Sequence, residues 1–240
     1  MKSGGNKKIP RQPETPSGAT PNPLLDQNPR QLRVLLVDDH AIVRDGLRQT
    51  LADKFPKAEF GDAANANGAL EKLHGNRWDV LILDISMPGR SGLDILREVK
   101  GIQPDLKVLI LTMHPEDQYA IRALKSGAAG YLTKEKASEE ILFAIEKVLA
   151  GGKYISPTLA ESLATKLNSS PEKLPHETLS NREFEIMLLI AGGKSVKEIG
   201  ADLALSVKTV STYRARILQK LKFKTNADII RYAMRERLVD

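Results

Sequence analysis

The fold of this chain is decided by residues 80–88, which read VLILDISMP. Four apolar residues are followed directly by the carboxylate of Asp84, and a proline marks the turn that comes next. A short apolar run bounded by a turn signal is typical of a strand that is buried on both faces. The sequence therefore places Asp84 at the carboxyl end of a central strand.

Two other stretches repeat this pattern. Residues 32–39 read LRVLLVDD and end in two carboxylates, Asp38 and Asp39, and residues 108–112 read VLILT and end in the hydroxyl of Thr112. In an open parallel sheet, binding sites form outside the carboxyl ends of the strands. We therefore expect these oxygen-bearing side chains to meet at one edge of the sheet.

Strand and helix patterns alternate from residue 32 to residue 150. The predicted strands cover 33–37, 58–63, 80–83, 107–111 and 129–132, and the predicted helices lie near 41–54, 66–74, 92–100, 116–126 and 138–150. This alternation predicts an α/β fold with a five-stranded, parallel, doubly wound sheet and helices on both faces. The strands at 80–83 and 108–111 are apolar throughout and are expected to be central.

The two ends of the chain differ from this body. Residues 1–31 are rich in proline and show no periodicity, which predicts a disordered tail, and residues 151–176 are interpreted as a linker with some helix around 157–167. Residues 177–240 contain a series of helix starts, among them two capping boxes that begin at Ser180 and Ser195. A short helix, a brief turn and a helix from Ser206 to about Leu221 form a helix-turn-helix pattern, so a small all-α domain is expected here.

Composition excludes several classes of protein. The chain has no cysteine, which rules out disulfides and thiolate chemistry, and no apolar run approaches the roughly 20 residues needed to cross a bilayer. We therefore expect a cytoplasmic protein with no membrane partner. The net charge is +6, but residues 32–150 hold about as many acidic as basic side chains. The excess of positive charge near the carboxyl end predicts an anionic partner for that end only.

The strand-end residues suggest phosphoryl chemistry when they are taken together with Lys134, which follows the last predicted strand of the sheet. Several carboxylates in one pocket suit Mg²⁺, and a carboxylate can attack phosphorus to give an aspartyl phosphate. Such a transfer is accelerated mainly by positioning and by a metal ion and a cationic side chain. A single aspartate after a strand is more often a turn former or a helix cap, so the prediction depends on the whole set. By spacing, the histidines at 40, 74 and 114 do not form a metal cluster and are expected to be structural or solvated.

These stretches, together with residues 130–134, which read GYLTK, resemble the receiver domain of a two-component response regulator over about residues 32–150. The resemblance implies a flavodoxin-like domain in which a sensor histidine kinase phosphorylates Asp84. It also implies roles for the neighbouring residues: Asp38, Asp39, Asp84 and the backbone carbonyl of Ser86 hold Mg²⁺, Lys134 pairs with the phosphoryl group, Thr112 moves toward it, and Tyr131 changes its burial as a switch. Such a protein is not an enzyme in the usual sense, because it catalyses only its own phosphoryl acceptance and dephosphorylation.

The helix-turn-helix region carries the basic charge. Between Asp202 and Asp228 there are six basic residues and no acidic one. Motifs within residues 179–221 resemble those of the LuxR-type DNA-binding domain, and the resemblance covers roughly residues 177–240. The resemblance implies a recognition helix in a major groove. It also implies a dimer surface on the last helix, 227–237, with Ile229, Ile230 and Ala233, although core packing would explain these three residues equally well. The base-facing candidates are Ser211, Thr212 and Ala215, and the phosphate-facing candidates are Lys208, Thr209, Tyr213, Arg214 and Arg216. Ser211 and Tyr213 stand where the family commonly has Lys and His, so the target sequence is not predicted.

Together the two resemblances predict a response regulator of the NarL/FixJ type. The order of signal site, linker and DNA module suggests that phosphorylation of Asp84 frees or reorients residues 177–240 and so allows a homodimer to form on DNA. Three alternatives remain open from the sequence. They are a phosphorylation-independent transcription factor whose receiver only binds proteins, a hydrolase with an aspartyl nucleophile, and a regulator of RNA. The hydrolase is disfavoured because Ser86 stands where a second acid is usual, and the RNA reader because no aromatic stacking platform is present.

Overall fold

The computed structural model describes Met1, residues 31–168 and residues 174–239. The predicted tail at 1–31 therefore lies almost entirely outside the described residues. Strands and helices alternate from residue 33 to residue 149, and a 3₁₀ turn at Lys134–Lys136 precedes the last of these helices. The elements are β1 (Arg33–Val37), α1 (Ala41–Lys54), β2 (Glu59–Ala63), α2 (Ala66–Gly75), β3 (Val80–Leu83), α3 (Gly92–Ile102), β4 (Lys107–Thr112), α4 (Glu116–Lys125), β5 (Gly130–Thr133) and α5 (Ala137–Leu149).

The five strands form one parallel sheet in the order β2-β1-β3-β4-β5, which confirms the predicted α/β fold class. The chain runs from β1 outward to β2 and then crosses back to place β3 on the other side of β1. This reversal opens a crevice at the carboxyl ends of β1 and β3, where ligands bind in folds of this type. Asp38 directly follows β1 and Asp84 directly follows β3, so both carboxylates lie at the crevice.

Apolar side chains cover both faces of the sheet. Leu35, Leu81 and Ile110 belong to the core on the side of α2, α3 and α4, whereas Leu36 and Ile82 belong to the core on the side of α1 and α5. Because successive residues of a strand point to opposite faces, a strand that is apolar throughout can supply both cores. This explains why the central strands are read from the sequence as continuous apolar runs.

Trp78 packs at the opposite end of the sheet from the crevice. It lies just before β3, and its indole Nε1 donates a hydrogen bond to the carbonyl of Lys72 at 3.1 Å. The ring covers the backbone of Gly61 in β2, where an added Cβ would come within 2.3 Å of a ring carbon. A side chain at position 61 would therefore displace the indole, so glycine is needed for this close approach.

The remaining described residues are helical. The elements are α6 (Pro157–Asn168), a 3₁₀ turn (Pro175–Thr178), α7 (Asn181–Ala191), α8 (Val196–Asp202), α9 (Val207–Leu221) and α10 (Asn226–Arg235). Both predicted capping boxes are formed, at Ser180 with Glu183 and at Ser195 with Glu198, and Thr225 with Asp228 forms a third. Within the described part of the chain, no helix is both long enough and apolar enough to cross a membrane.

The helix-turn-helix is formed by α8 and α9. The turn between them contains Ala204 in the left-handed region, with φ of 51°, and Lys222, which follows the last residue of α9, is also left-handed. Helix α7 packs against α9 and α10, and Val210, Ile217 and Ile229 are fully buried between the helices. The apolar stripe of α9 is thereby turned inward, and its polar side is presented outward.

Candidate functional site: the strand-end carboxylates and the recognition helix

The crevice brings together the two buried carboxylates and the predicted lysine. Asp38 and Asp84 are 3% and 2% exposed, and Lys134 Nζ lies 2.6 Å from Asp38 Oδ2 and 2.7 Å from Asp84 Oδ2. The three residues come from the ends of β1, β3 and β5, so the parallel sheet is what places them in contact. One ammonium group is therefore shared by two carboxylates that are sequestered from water, and the cluster keeps a net negative charge.

Asp39 completes the acidic cluster. Ligand atoms of Asp38, Asp39, His40 and Asp84 all lie within 4.8 Å of one another. Asp39 Oδ1 is buried and accepts no hydrogen bond from any residue that the structure describes, although His40 Nδ1 lies 2.9 Å away. A buried carboxylate oxygen without a donor is costly unless a cation satisfies it. Carboxylate oxygens at this spacing are the donors that hard divalent cations prefer.

Thr112 and Tyr131 lie on the two strands beyond β3. Thr112 ends β4, is fully buried, and pairs in register with Thr133, the residue before Lys134. Tyr131 is fully buried on β5, and its hydroxyl donates a hydrogen bond to the carbonyl of His114 at 2.9 Å. Burial raises the pKa of Tyr131 well above its ordinary value, so the hydroxyl stays protonated and remains a donor. The tyrosine thus ties β5 to the turn that follows β4.

Ser86 lies between Asp84 and His114 and forms a hydrogen bond with each. Its backbone N–H donates to Asp84 Oδ1 at 3.1 Å, and its hydroxyl oxygen lies 2.7 Å from His114 Nε2. Burial lowers the pKa of His114, which favours a neutral ring able to accept this hydrogen bond. His40 and His114 were expected to be structural or solvated: the His40 side chain is largely exposed, with Nδ1 2.9 Å from Asp39 Oδ1, and His114 bonds Ser86. Each follows a strand-end oxygen by one or two residues, which is the signal that could have identified them.

Burial and charge pairing act against each other in this site. Burial raises the pKa of Asp84, and the hydrogen bond from Lys134 opposes that rise. Burial alone would lower the pKa of Lys134, but its bonds to Asp38 and Asp84 raise it overall. The lysine therefore stays charged, and its presence lets a deprotonated Asp84 exist in a nearly dry environment. A carboxylate held in this way is available as a nucleophile.

The predicted DNA-reading residues lie on α9. Lys208, Ser211, Thr212, Ala215 and Arg216 are exposed, and their spacing places them on the outward side of the helix. Three other candidates have contacts within the domain. Thr209 Oγ1 lies 2.8 Å from Ser206 Oγ, Arg214 Nε donates to Asn226 Oδ1 at 2.5 Å, and the Tyr213 ring lies 5.9 Å from the guanidinium of Arg216.

Two known family patterns match the chain. The pattern of the response regulator receiver domain matches residues 34–146, and that of the bacterial regulatory proteins of the luxR family matches residues 177–233. The response regulator GacA of Pseudomonas aeruginosa is 40% identical over 210 residues, which is 87% of this chain and 98% of GacA. The chain belongs to the response regulator family.

Other relatives agree with this assignment. The response regulator UvrY of Escherichia coli is 38% identical over 209 residues, covering 86% of this chain and 95% of UvrY. A LuxR-family two-component response regulator from Aurantimonas sp. has 34% identity and a TM-score of 0.53, covering 58% of this chain and 99% of that structure. RcsB of Salmonella enterica, solved on promoter DNA with the phosphomimetic BeF₃⁻, has 26% identity and a TM-score of 0.58, covering 84% of this chain and 98% of RcsB.

The family assignment fixes the class of function. A receiver joined to a LuxR-type helix-turn-helix makes this response regulator a phosphorylation-dependent transcription regulator of the NarL/FixJ type that binds DNA. It is a regulator rather than an enzyme of metabolism.

Proposed function

We propose that Asp84 accepts a phosphoryl group from a sensor histidine kinase in the presence of Mg²⁺. The observation that carries this assignment is the position of Lys134 Nζ, 2.6 Å from Asp38 and 2.7 Å from Asp84. Of the carboxylates in the crevice, Asp84 is the one at the end of the central strand, and it is also the most buried. A lysine that contacts it is well placed to pair with a phosphoryl group added to it.

The residues present fit a Mg²⁺ ion. Asp38, Asp39, Asp84 and the carbonyl of Ser86 would hold it, and the otherwise unsatisfied Asp39 Oδ1 is an oxygen that such an ion would need. The ion supplies positive charge to the oxygens of the phosphoryl group being transferred.

The chain itself performs the remaining steps. A carboxylate oxygen of Asp84 attacks phosphorus, an O–P bond forms, and the bond from phosphorus to the histidine nitrogen of the kinase breaks. Lys134 neutralises charge on the phosphoryl oxygens, and the Thr112 hydroxyl donates to one of them after a movement of the turn that follows β4. Tyr131 is the proposed switch, because its hydroxyl already bonds the backbone of that turn at His114.

For DNA recognition, we propose that α9 enters the major groove with Ser211, Thr212 and Ala215 toward the base edges. Lys208 and Arg216 would contact phosphates, since both are exposed and basic. Thr209, Tyr213 and Arg214 remain phosphate candidates. The contact of Thr209 with Ser206 would also hold the start of α9 in place, and the hydrogen bond from Arg214 to Asn226 would hold α9 to the start of α10. A protein that works on DNA in this way would act in the cytoplasm.

A homodimer is proposed to form on DNA through α10. The expectation that Ile229 and Ala233 contribute to its surface has to be revised, because both are fully buried in the domain core. The face that α10 leaves exposed contains Ala227 and Met234, with Ile230 half-buried beside them. These three residues are therefore the better candidates for contact with a second copy.

The test is an intact-mass spectrum after incubation with Mg²⁺ and acetyl phosphate. We expect the wild type to gain one phosphoryl group, Asp84→Asn to gain none, and Asp53→Asn, which changes an exposed carboxylate on α1, to behave as the wild type. If folded wild-type protein gains nothing, the receiver works without phosphorylation. If Asp84→Asn still gains the group, another residue is the acceptor.

A further inference from the structure

The hydroxyl of Thr212 is already engaged within α9. It donates a hydrogen bond to the backbone carbonyl of Lys208, one turn earlier in the helix, at 2.9 Å. This bond commits the hydroxyl hydrogen to the helix backbone and turns the oxygen back toward it. Thr212 is nevertheless exposed, so its methyl group is the part of the side chain that it offers to a partner.

Two further exposed side chains on the same helix offer only apolar groups. Ala215 lies three residues after Thr212, and side chains three or four positions apart are neighbours on a helix surface. Val207, the first residue of α9, is 53% exposed, in contrast to Val210, which is fully buried. A single exposed valine needs no explanation. Here, however, it lies one turn before Ser211, at the end of the helix that is predicted to meet the bases.

The first three turns of α9 are poor in side chains that hydrogen-bond bases in pairs. Residues 207–217 contain no Asn or Gln, which bond adenine, and no Asp or Glu, which accept from cytosine. Arg214 could bond guanine, but its Nε donates to Asn226 Oδ1 at 2.5 Å. The exposed cations Lys208 and Arg216 are the remaining side chains of these turns that could bond guanine.

The major groove contains one apolar group that such a surface can recognise. Thymine presents its C5-methyl there, and small apolar side chains and the methyl of threonine are its usual protein contacts. The exposed cations Lys208 and Arg216 lie on the same side of α9 and can hold the helix against the phosphates. A methyl-bearing surface between phosphate-binding cations therefore fits a groove that is lined with thymines.

We propose that α9 recognises its DNA target mainly through thymine methyl groups, which contact the methyl groups of Val207, Thr212 and Ala215. This proposal rests on the placement of α9 in the major groove. The hydroxyl of Ser211 supplies the hydrogen bonding that remains on this side of the helix. The preferred DNA site should therefore contain thymines at the positions that α9 covers.

The test uses the full-length chain with Mg²⁺ and BeF₃⁻ as a stable substitute for the phosphoryl group. The wild type first selects its preferred site from a random DNA library. Each thymine of that site is then replaced by uracil, which lacks only the 5-methyl group. We expect binding to weaken about fourfold at each contacted thymine, the effect of exposing one methyl-sized group to water, and to stay unchanged at flanking thymines.

Two variants of one residue separate the methyl from the hydroxyl. Thr212→Val keeps a methyl and should bind as the wild type does, with the same loss on uracil. Thr212→Ser keeps the hydroxyl and should bind the thymine site about fourfold more weakly, with no further loss when uracil replaces the contacted thymine. The matched control is Thr50 on α1, whose hydroxyl makes the same bond to the carbonyl of Gly46 at 3.0 Å. Thr50→Val and Thr50→Ser should leave both quantities unchanged.

Three results would overturn the proposal. They are a preferred site without thymines, uracil substitution that costs no affinity, and a Thr212→Ser variant that matches the wild type on both thymine and uracil sites. Guanine reading by Lys208 would instead appear as lost binding to 7-deazaguanine, which lacks the N7 acceptor, while uracil has no effect. Ala215→Leu tests the underlying placement, because it adds bulk where α9 would face the groove. Unchanged binding and site preference in this variant would mean that the placement of α9 is wrong.

Discussion

The proposed acceptor site and the proposed recognition helix place their side chains in opposite environments. Asp38, Asp84 and Thr112 are at most 3% exposed, whereas Ser211 and Arg216 project into solvent. A buried site must balance its charges from within the chain, so its geometry is determined by the fold. An exposed surface is balanced by water and salt, so its geometry is completed only by its DNA partner. Substitutions in the buried site should therefore change folding stability and phosphoryl acceptance together. Substitutions on the exposed side of α9 should change DNA binding alone.

The largest effect is expected for Lys134→Met. Asp38 and Asp84 would lose the cation they share, and breaking a buried pair costs about 3–5 kcal/mol of unfolding free energy. Added Mg²⁺ should recover much of this loss by replacing the missing charge, and phosphoryl gain should fall by about 100-fold or more, as for other losses of transition-state charge stabilisation. Urea unfolding with and without Mg²⁺ measures the first effect, and intact mass measures the second. Equal stability of variant and wild type without Mg²⁺ would contradict the buried-pair argument.

A smaller effect is expected for Ser211→Ala. If the hydroxyl contacts a base edge, its removal should cost about 1–3 kcal/mol at one position of the target and relax specificity there. The measurement is selection of preferred sites from a random DNA library with wild type and variant, followed by binding titrations. Phosphoryl gain should be unchanged, because Ser211 lies on α9, outside the acceptor site. A variant that loses affinity equally for all sequences would place Ser211 on the phosphate backbone instead.

Lys208→Gln should weaken DNA binding without changing which sequences are preferred. Each phosphate contact contributes about 0.9 to the slope of log K against log salt, so the slope should fall by about 1. Fluorescence anisotropy at several salt concentrations gives this slope. An unaltered slope would remove Lys208 from the phosphate-contacting set and leave Arg216 as the exposed cation to test next.

The smallest expected change concerns the cap of the recognition helix. Ser206 Oγ accepts a hydrogen bond from Thr209 N at 3.0 Å. Ser206→Ala should lower the stability of the DNA-binding domain by about 1 kcal/mol, while Ser206→Asn, which keeps a capping oxygen, should lower it much less. Thermal unfolding followed by circular dichroism tests this order. Equal losses in the two variants would mean that the cap does not stabilise α9.

The sequence alone predicted the strand-end residues because parallel pairing forces the carboxyl ends of strands to one edge. Once β1, β3, β4 and β5 are recognised as strands, the positions of Asp84 and Lys134 follow from where those strands stop. The pairing of Ser86 with His114 was not predictable in this way, because it depends on how two loops fold back over the edge.

The contact of Arg182 with Gly89 was equally out of reach, since the two residues are 93 positions apart and neither belongs to a periodic pattern. The helical region shows a second reason for failure. The apolar positions of α10 indicated a buried or a dimeric surface equally well. Only the packing of α7 against α10 distinguishes Ile229, which is buried, from Met234, which is exposed. Local patterns predict elements, but they do not distinguish which neighbour covers an apolar face.

Trp78 is the only tryptophan in the chain, and its place beneath β2 has a practical consequence for spectroscopy. It precedes β3 whereas Asp84 follows it, so the four residues of β3, which span about 13 Å at roughly 3.3 Å per residue, lie between the two. Fluorescence of the indole should therefore change when the sheet unfolds and stay constant when the acceptor site changes state. Trp78 fluorescence should therefore report global unfolding without responding to phosphorylation. It can be measured together with a second probe that does respond to phosphorylation.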